Sequence, residues 1–236
     1  MSNRSVTRDE VVDCLNARHA RFFAEVGVDT HTGILHRREM RRRVRFKSYP
    51  YIGSRYGDES PRILFVGQHD PTDEGNLVSF ERRRQHVEDK ARADHNPHIA
   101  GTWFQALSLL PPEYGWASVA DSTRPCQSLL RRPLPMEAQW ADPLLFVALT
   151  NWNKWVEVGS GAFNRHLAED AERALLIDEV RCCEPEIVIF QGKLFLRPAR
   201  LRAIRSLASD FDVRVWPHPS HRARRRPRDV VEALWP

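Results

Sequence analysis

Four apolar runs punctuate an otherwise polar chain, and each breaks abruptly into polar residues. They are RILFVG (62–67), LLFVALTN (144–151), EIVIFQG (186–192) and DVRVW (212–216). Short, rich in β-branched and aromatic side chains and closed by Gly, Asn or Pro, they predict four strands, the first two of them buried. Between them, apolar positions recur at helical spacing. Thr7 with Glu10 three residues later makes a capping-box pattern, and Val12, Leu15, Phe22, Phe23 and Val26 then predict a helix over 8–25. Trp103, Leu107 and Leu110 predict a short helix stopped by Pro111 and Pro112. Leu176, Val180 and Cys183 mark one face of a helix that Pro185 ends. Residues 196–211 predict another helix and PRDVVEALW a terminal one. The stretches 36–60 and 111–143 read as loops, and 81–100 as a solvated helix and loop.

Apolar strands alternating with helices predict a parallel sheet covered on both faces. No internal repeat and no flexible linker interrupts the pattern. The expectation is one domain over 1–236, with an N-terminal helix and basic lead-in over 1–50 and a core over 51–236. Ligands of such sheets bind beyond the carboxyl ends of the strands. Those ends carry Gln68, His69 and Asp70 on the first run, Asn151 on the second, Gln191 on the third and His218 after the fourth.

Composition narrows the picture. At 236 residues and 42% hydrophobic, the chain can bury a sizeable core. No run of ~18 apolar residues occurs, which predicts no membrane span. The N-terminal residues lack the apolar segment of a signal peptide, so a cytoplasmic protein is expected. The four cysteines form no Cys-x-x-Cys pair, and Cys182 and Cys183 are adjacent. Adjacent thiols on one helix cannot face one metal, so reduced, buried thiols and no metal are expected. The net charge is +5, concentrated in arginine clusters at 36–47, 81–84 and 221–228. Arginine's planar fork suits phosphate, and nucleic acid is the commonest polyanion. A solvated basic face fits the same charge count.

The segments ILFVGQHDP, ALTNW, EVRCCEPEIVIFQG and VWPHPS stand in the order seen in the uracil-DNA glycosylase superfamily, which the chain resembles over about residues 50–235. The resemblance implies a three-layer α/β/α sandwich around a central four-stranded parallel sheet. It also implies a monofunctional DNA glycosylase that uses water and no cofactor. Its substrate would be uracil or a 5-substituted, even hypermodified, cytosine in duplex or single-stranded DNA, in repair or anti-phage defence. A monomer without membrane attachment is expected. Breaking a base–sugar bond builds positive charge on the sugar and negative charge on the base, so a carboxylate, a donor and an amide are the groups required. Asp70 would orient water or stabilise the cationic sugar, and His218 would donate to the leaving base. Gly67 would let the nucleotide approach, with Gln68 lining the pocket. Asn151, or its rival Asn153, would read the base edge. Phe80 would stack on the base, Ser220 would belong to the His-Pro-Ser motif, and Arg222, Arg224 and Arg225 would grip phosphate.

Two departures bear on this reading. His69 stands where the best-known branch has its aspartate, so His69 or Asp70 could take the water-activating role. Thr72 stands where that branch has a tyrosine that crowds the 5-position of the base, which leaves room for a 5-substituent. A catalytically inactive nucleic-acid-binding protein of the same fold is the alternative. An α/β hydrolase or transferase acting on a phosphorylated substrate is less favoured, because no Gly-x-Ser-x-Gly elbow and no P-loop occur.

Overall fold

A computed structural model describes residues 6–35, 43–47, 49–68, 79–92, 97–111, 122–125, 142–159, 161–162, 167–222, 226 and 228–229. Helix α1 (Arg8–Val26) begins where the capping box requires. The Glu10 N–H donates to the Thr7 hydroxyl, and the Thr7 N–H donates to the Glu10 carboxylate. Gly27, at φ 83°, closes the helix in the left-handed conformation that glycine adopts at no steric cost. Strands β1 (Val44–Phe46), β2 (Tyr51–Ile52) and β3 (Ile63–Gly67) follow, then helices α2 (Phe80–Arg92) and α3 (Pro97–Leu107). A 3₁₀ turn (Pro143–Phe146) leads into β4 (Val147–Asn151), β5 (Trp155–Glu157), β6 (Gly161–Ala162) and helix α4 (Glu169–Cys183). Strand β7 (Ile187–Gln191), a 3₁₀ turn (Lys193–Leu196), helix α5 (Pro198–Leu207), strand β8 (Asp212–Trp216) and the turn Pro219–Arg222 complete the order.

The main sheet has the order β2-β4-β3-β7-β8. Strands β4, β3, β7 and β8 run parallel, and β2 adds an antiparallel edge beside β4. A smaller antiparallel sheet has the order β1-β5-β6. Side chains along β3 alternate between two cores. Leu64 and Val66 pack with α1, α4 and α5 residues such as Leu15, Val180 and Ile204, whereas Ile63 and Phe65 pack with Ile99, Phe104 and Leu107 of α3. Alternation in a strand buried on both faces explains the unbroken apolar run. The protein is therefore mixed α/β, with a mostly parallel sheet flanked by helices. No helix of the described residues is long and apolar enough to cross a membrane.

Four expectations need correction. The stretch predicted as a lead-in loop over 36–60 contains β1 and β2, which are too short to show a period. The second predicted strand begins at Val147. Residues 143–146 form a 3₁₀ turn, in which the Asp142 carboxylate accepts from the Leu144 N–H at 3.0 Å. Helix α3 starts at Pro97, inside the predicted solvated stretch, with the proline in the first turn where no N–H is missed. Finally, Cys14 and Cys182 form a disulfide instead of remaining reduced. They are 168 residues apart in sequence, and the packing of α1 on α4 brings their Cα atoms to 5.6 Å. Cys183 is a buried free thiol. The predicted terminal helix and the long 111–143 loop fall largely outside the described residues.

Candidate active site at the strand ends

The sheet order fixes where a ligand can sit. From β3 the chain crosses to β4 on one side, then returns past β3 to β7 and continues outward to β8. Connections from β3 and β7 therefore leave in opposite directions. The crevice beyond the carboxyl ends of these two neighbouring strands is the topological switch point, where open α/β sheets bind ligands. Glycine stands at both lips, Gly67 ending β3 and Gly192 following β7.

The geometry around Gly67 is tight. A Cβ there would lie 2.6 Å from Asn151 Oδ1 and 3.7 Å from His98 Cε1. Only a residue without a side chain lets the Asn151 amide come this close to the strand end, while the His98 ring stands at ordinary contact distance. Strand register sets Asn151 opposite Gly67, and the chain stays laced to it. The Trp152 N–H donates to the Gly67 carbonyl at 2.8 Å, and the Asn153 N–H donates to the Gln68 carbonyl at 2.9 Å. Asn153 is 2% exposed, and neither atom of its side-chain amide has a hydrogen-bond partner among the described residues. A buried, unanswered amide costs about 1–3 kcal/mol, and such groups call for a functional explanation.

His218 reaches the crevice from the end of β8. Its ring meets the ring of His98 edge-on, with centroids 5.0 Å apart. Its Cδ2 lies 3.7 Å from the position of a Cβ on Gly192, whose φ of 136° disfavours any other residue. The Ser220 N–H donates to His218 Nδ1 at 3.4 Å, and the Ser220 hydroxyl lies 2.7 Å from the same nitrogen. A nitrogen that accepts carries no proton, so in the tautomer in which Nδ1 accepts from Ser220 the ring proton sits on Nε2. His218 can thus act as a neutral donor of the kind that stabilises charge developing on a base oxygen.

The strand-end loop is anchored from beneath by a buried polar network. The Thr150 hydroxyl donates to Glu179 Oε2 at 2.7 Å, and Lys154 Nζ donates to the same oxygen at 2.6 Å. His19 Nε2 lies 3.1 Å from Glu179 Oε1, and its ring stacks on Tyr49. Burial opposes ionisation of Glu179, but Lys154 and His19 outweigh it and hold the carboxyl below its usual range. Burial pushes the His19 imidazole down despite the opposing Glu179, which leaves it neutral. Burial likewise lowers Lys154, again opposed by Glu179. The residues on either side of Asn151 and Asn153 are therefore fixed to α4 and α1.

Among the sequence-predicted residues, Gly67, Asn151, Asn153, His218 and Ser220 lie at these strand ends, and Gln68 contributes its carbonyl. Gln191 is committed elsewhere. Its Nε2 donates to Thr102 Oγ1 at 3.0 Å and to Gln105 Oε1 at 2.8 Å, which fastens α3 to β7. Phe80 packs in the core against His19 and Tyr49. Arg222 ends the turn after His218. His69, Asp70, Thr72, Arg224 and Arg225 lie outside the described residues. His98 was not anticipated; the only sequence signal is Pro97, a helix-starting residue directly before it. Among the described residues no three His, Cys, Asp or Glu side chains converge as a metal site requires. Neither the models of known protein families nor the curated proteins yield a match to this chain.

Proposed function

We propose that this chain is a monofunctional DNA glycosylase of the uracil-DNA glycosylase type. It hydrolyses the N-glycosidic bond of a modified pyrimidine, uracil or a 5-substituted cytosine, in repair or anti-phage defence. The observation that supports it best is the convergence of an amide, Asn151, and two imidazoles, His98 and His218, over the glycine lips of one switch-point crevice. In this reading the base leaves its stack and enters the crevice. Asn153 and Asn151 read its edge. The Nε2–H of His218 donates to the base oxygen as the bond to the sugar breaks and the electron pair moves to the base. Asp70, or His69, orients the water that adds to the sugar, and the proton of that water balances the charge on the departing base. The finer fold assignment, the superfamily's three-layer sandwich, belongs to the same proposal.

The test is base release. Duplexes bearing uracil, 5-hydroxymethyl or glucosylated pyrimidines are incubated with the protein, and abasic sites are cleaved with alkali. Strand cleavage on at least one substrate is expected, with His218→Ala slower by ~10²–10⁴ in single turnover at unchanged DNA affinity. Binding without release from any substrate would favour the inactive nucleic-acid-binding alternative.

A further inference from the structure

Helices α1 and α4 face one another through three neighbouring ties. Cys14 is bonded to Cys182, Arg18 lies 3.8 Å from Asp178, and His19 Nε2 lies 3.1 Å from Glu179 Oε1. Cys14 and Arg18 stand one turn apart on α1, as Cys182 and Asp178 do on α4, so the ties lie along one antiparallel seam. They differ in kind. The Arg18–Asp178 pair is open to solvent and contributes little. The His19 contact is buried and reaches onward, because Glu179 also accepts from Thr150 and Lys154 beside the strand-end loop. The disulfide is the tie that the redox state of the surroundings can cut and remake.

The two sulfurs are unequally placed. Cys14 is half-buried, whereas Cys182 is buried. A small thiol reductant therefore meets Cys14 first. Its thiolate attacks Cys14 Sγ, the S–S bond breaks, and the electron pair leaves on Cys182 Sγ, which takes a proton. A second reductant thiol then attacks the mixed disulfide and releases Cys14. Two electrons and two protons pass to the protein, and the two reductant thiols become a disulfide. Cys183, next in the chain, takes no part. It is fully buried, and burial, with Glu179 adding to it, pushes its thiol up, so it supplies no thiolate to the exchange.

We propose that the Cys14–Cys182 bond is a redox-operated lock on α1. The bond joins residues 168 apart in sequence, and a helix tethered in this way cannot leave α4 in a local opening. Bonded, it keeps His19 against Glu179, and Glu179 keeps Thr150 and Lys154 in place around Asn151 and Asn153. Reduced, α1 is held by its apolar face, Val11, Leu15, Phe22 and Phe23, and by His19 alone at the network. Local opening then takes His19 from Glu179 and from the rings of Tyr49 and Phe80, and the strand-end loop loosens. The structural half of this proposal stands apart from the glycosylase reading; the effect on base release rests on it.

The experiment follows peptide-resolved hydrogen exchange of the folded parent, oxidised and after reduced glutathione or dithiothreitol, beside Cys14→Ser as a permanently open form. Reduction should raise exchange over residues 8–26 about tenfold or more and over residues 147–155 about threefold or more, with residues 187–191 of the central sheet changed less than about twofold. Cys14→Ser should match the reduced parent with or without reductant, and oxidised glutathione should restore the parent alone. Unchanged exchange over residues 8–26 overturns the lock. So does an equal rise across the sheet, which would make the bond a staple of the whole fold, and so does a bond that glutathione leaves closed. Because the parent is reduced after folding, these outcomes decide even if Cys14→Ser does not fold. Single-turnover base release on the same samples should fall about fivefold or more on reduction and return on reoxidation. Release at the oxidised rate while residues 8–26 open overturns the link to the site. If the parent releases no base in either state, the glycosylase reading falls and exchange alone decides the lock.

Discussion

In the proposed reading, Asn153 sets function against stability at a single side chain. Both polar atoms of its amide are buried without a hydrogen-bond partner among the described residues. Its backbone N–H, by contrast, is satisfied by the Gln68 carbonyl. Folding strips water from the amide and returns little, a cost of about 1–3 kcal/mol that a bound base edge would recover. Leucine has nearly the same shape and no polar atoms. Asn153→Leu should therefore raise stability to denaturant by roughly 1 kcal/mol or more, while lowering single-turnover release by ~10²-fold or more. Denaturant unfolding and base release measured on the same preparation check both halves. A variant that is less stable and equally active would show that the amide serves the fold.

At the level of elements, α3 couples the two imidazoles. His98 lies in its first turn, and Gly101, one turn on, packs against the turn that carries His218. A Cβ on Gly101 would lie 2.4 Å from the Pro219 carbonyl oxygen, which is backbone and cannot swing away. Gly101→Ala should push α3 from that turn, cost about 1–3 kcal/mol, and slow release by ~10²-fold through misplacement of His98 against His218. Unfolding and release again check it, and a variant at parental rate would mean the two rings need no fixed spacing. The same elements show what a linear sequence discloses. Strands β3, β4 and β7 were legible because burial writes a nearly unbroken apolar run, whereas the edge strand β8, half-exposed along most of its length, showed through Val213, Val215 and Trp216. Thr7 and Glu10 announced α1 because a capping box is local. Strands β1, β2 and β5 were not legible, since two or three residues such as Tyr51 and Ile52 cannot display a period. Residues 144–146 misled because an apolar 3₁₀ turn flows into a strand without a change of composition. Asn151 and His218 were visible as polar breaks at strand ends. His98 was hidden in a polar stretch, because its role depends on α3 folding back over Gly67, a tertiary fact.

At the scale of the whole molecule, distant segments meet in the buried network of His19, Thr150, Lys154 and Glu179. The Cys14–Cys182 disulfide joins the same two helices, α1 and α4. The network makes stability depend on acid. His19 is held below its ordinary value chiefly by burial, with Glu179 opposing, so the folded protein keeps it neutral. In the unfolded chain the imidazole takes a proton at about pH 6.5. Below that pH the unfolded state binds more protons than the folded state, so stability falls as pH falls. Glu179 repeats the logic lower down. Its carboxyl is held below the usual range because Lys154 and His19 outweigh its burial, so a second loss starts below about pH 4.3. Guanidinium unfolding from pH 8 to about pH 3 should therefore show a plateau above about pH 7, then a decline of up to ~1.4 kcal/mol per pH unit for each proton taken up by the unfolded chain alone. The chain has 10 histidines, so the wild-type curve alone cannot assign the upper step. His19→Gln can, since the amide still donates to Glu179 Oε1 but does not titrate. That variant should lose the slope between about pH 5 and 6.5 and keep the decline below pH 4.3. A parental slope in the upper window would place the titrating group elsewhere. The site depends on the same groups, because Thr150 and Lys154 flank the strand-end loop that holds Asn151 and Asn153. In the proposed reading, release should therefore fall at low pH as protonation of the unfolded chain draws molecules out of the folded state, and His19→Gln should extend activity toward lower pH.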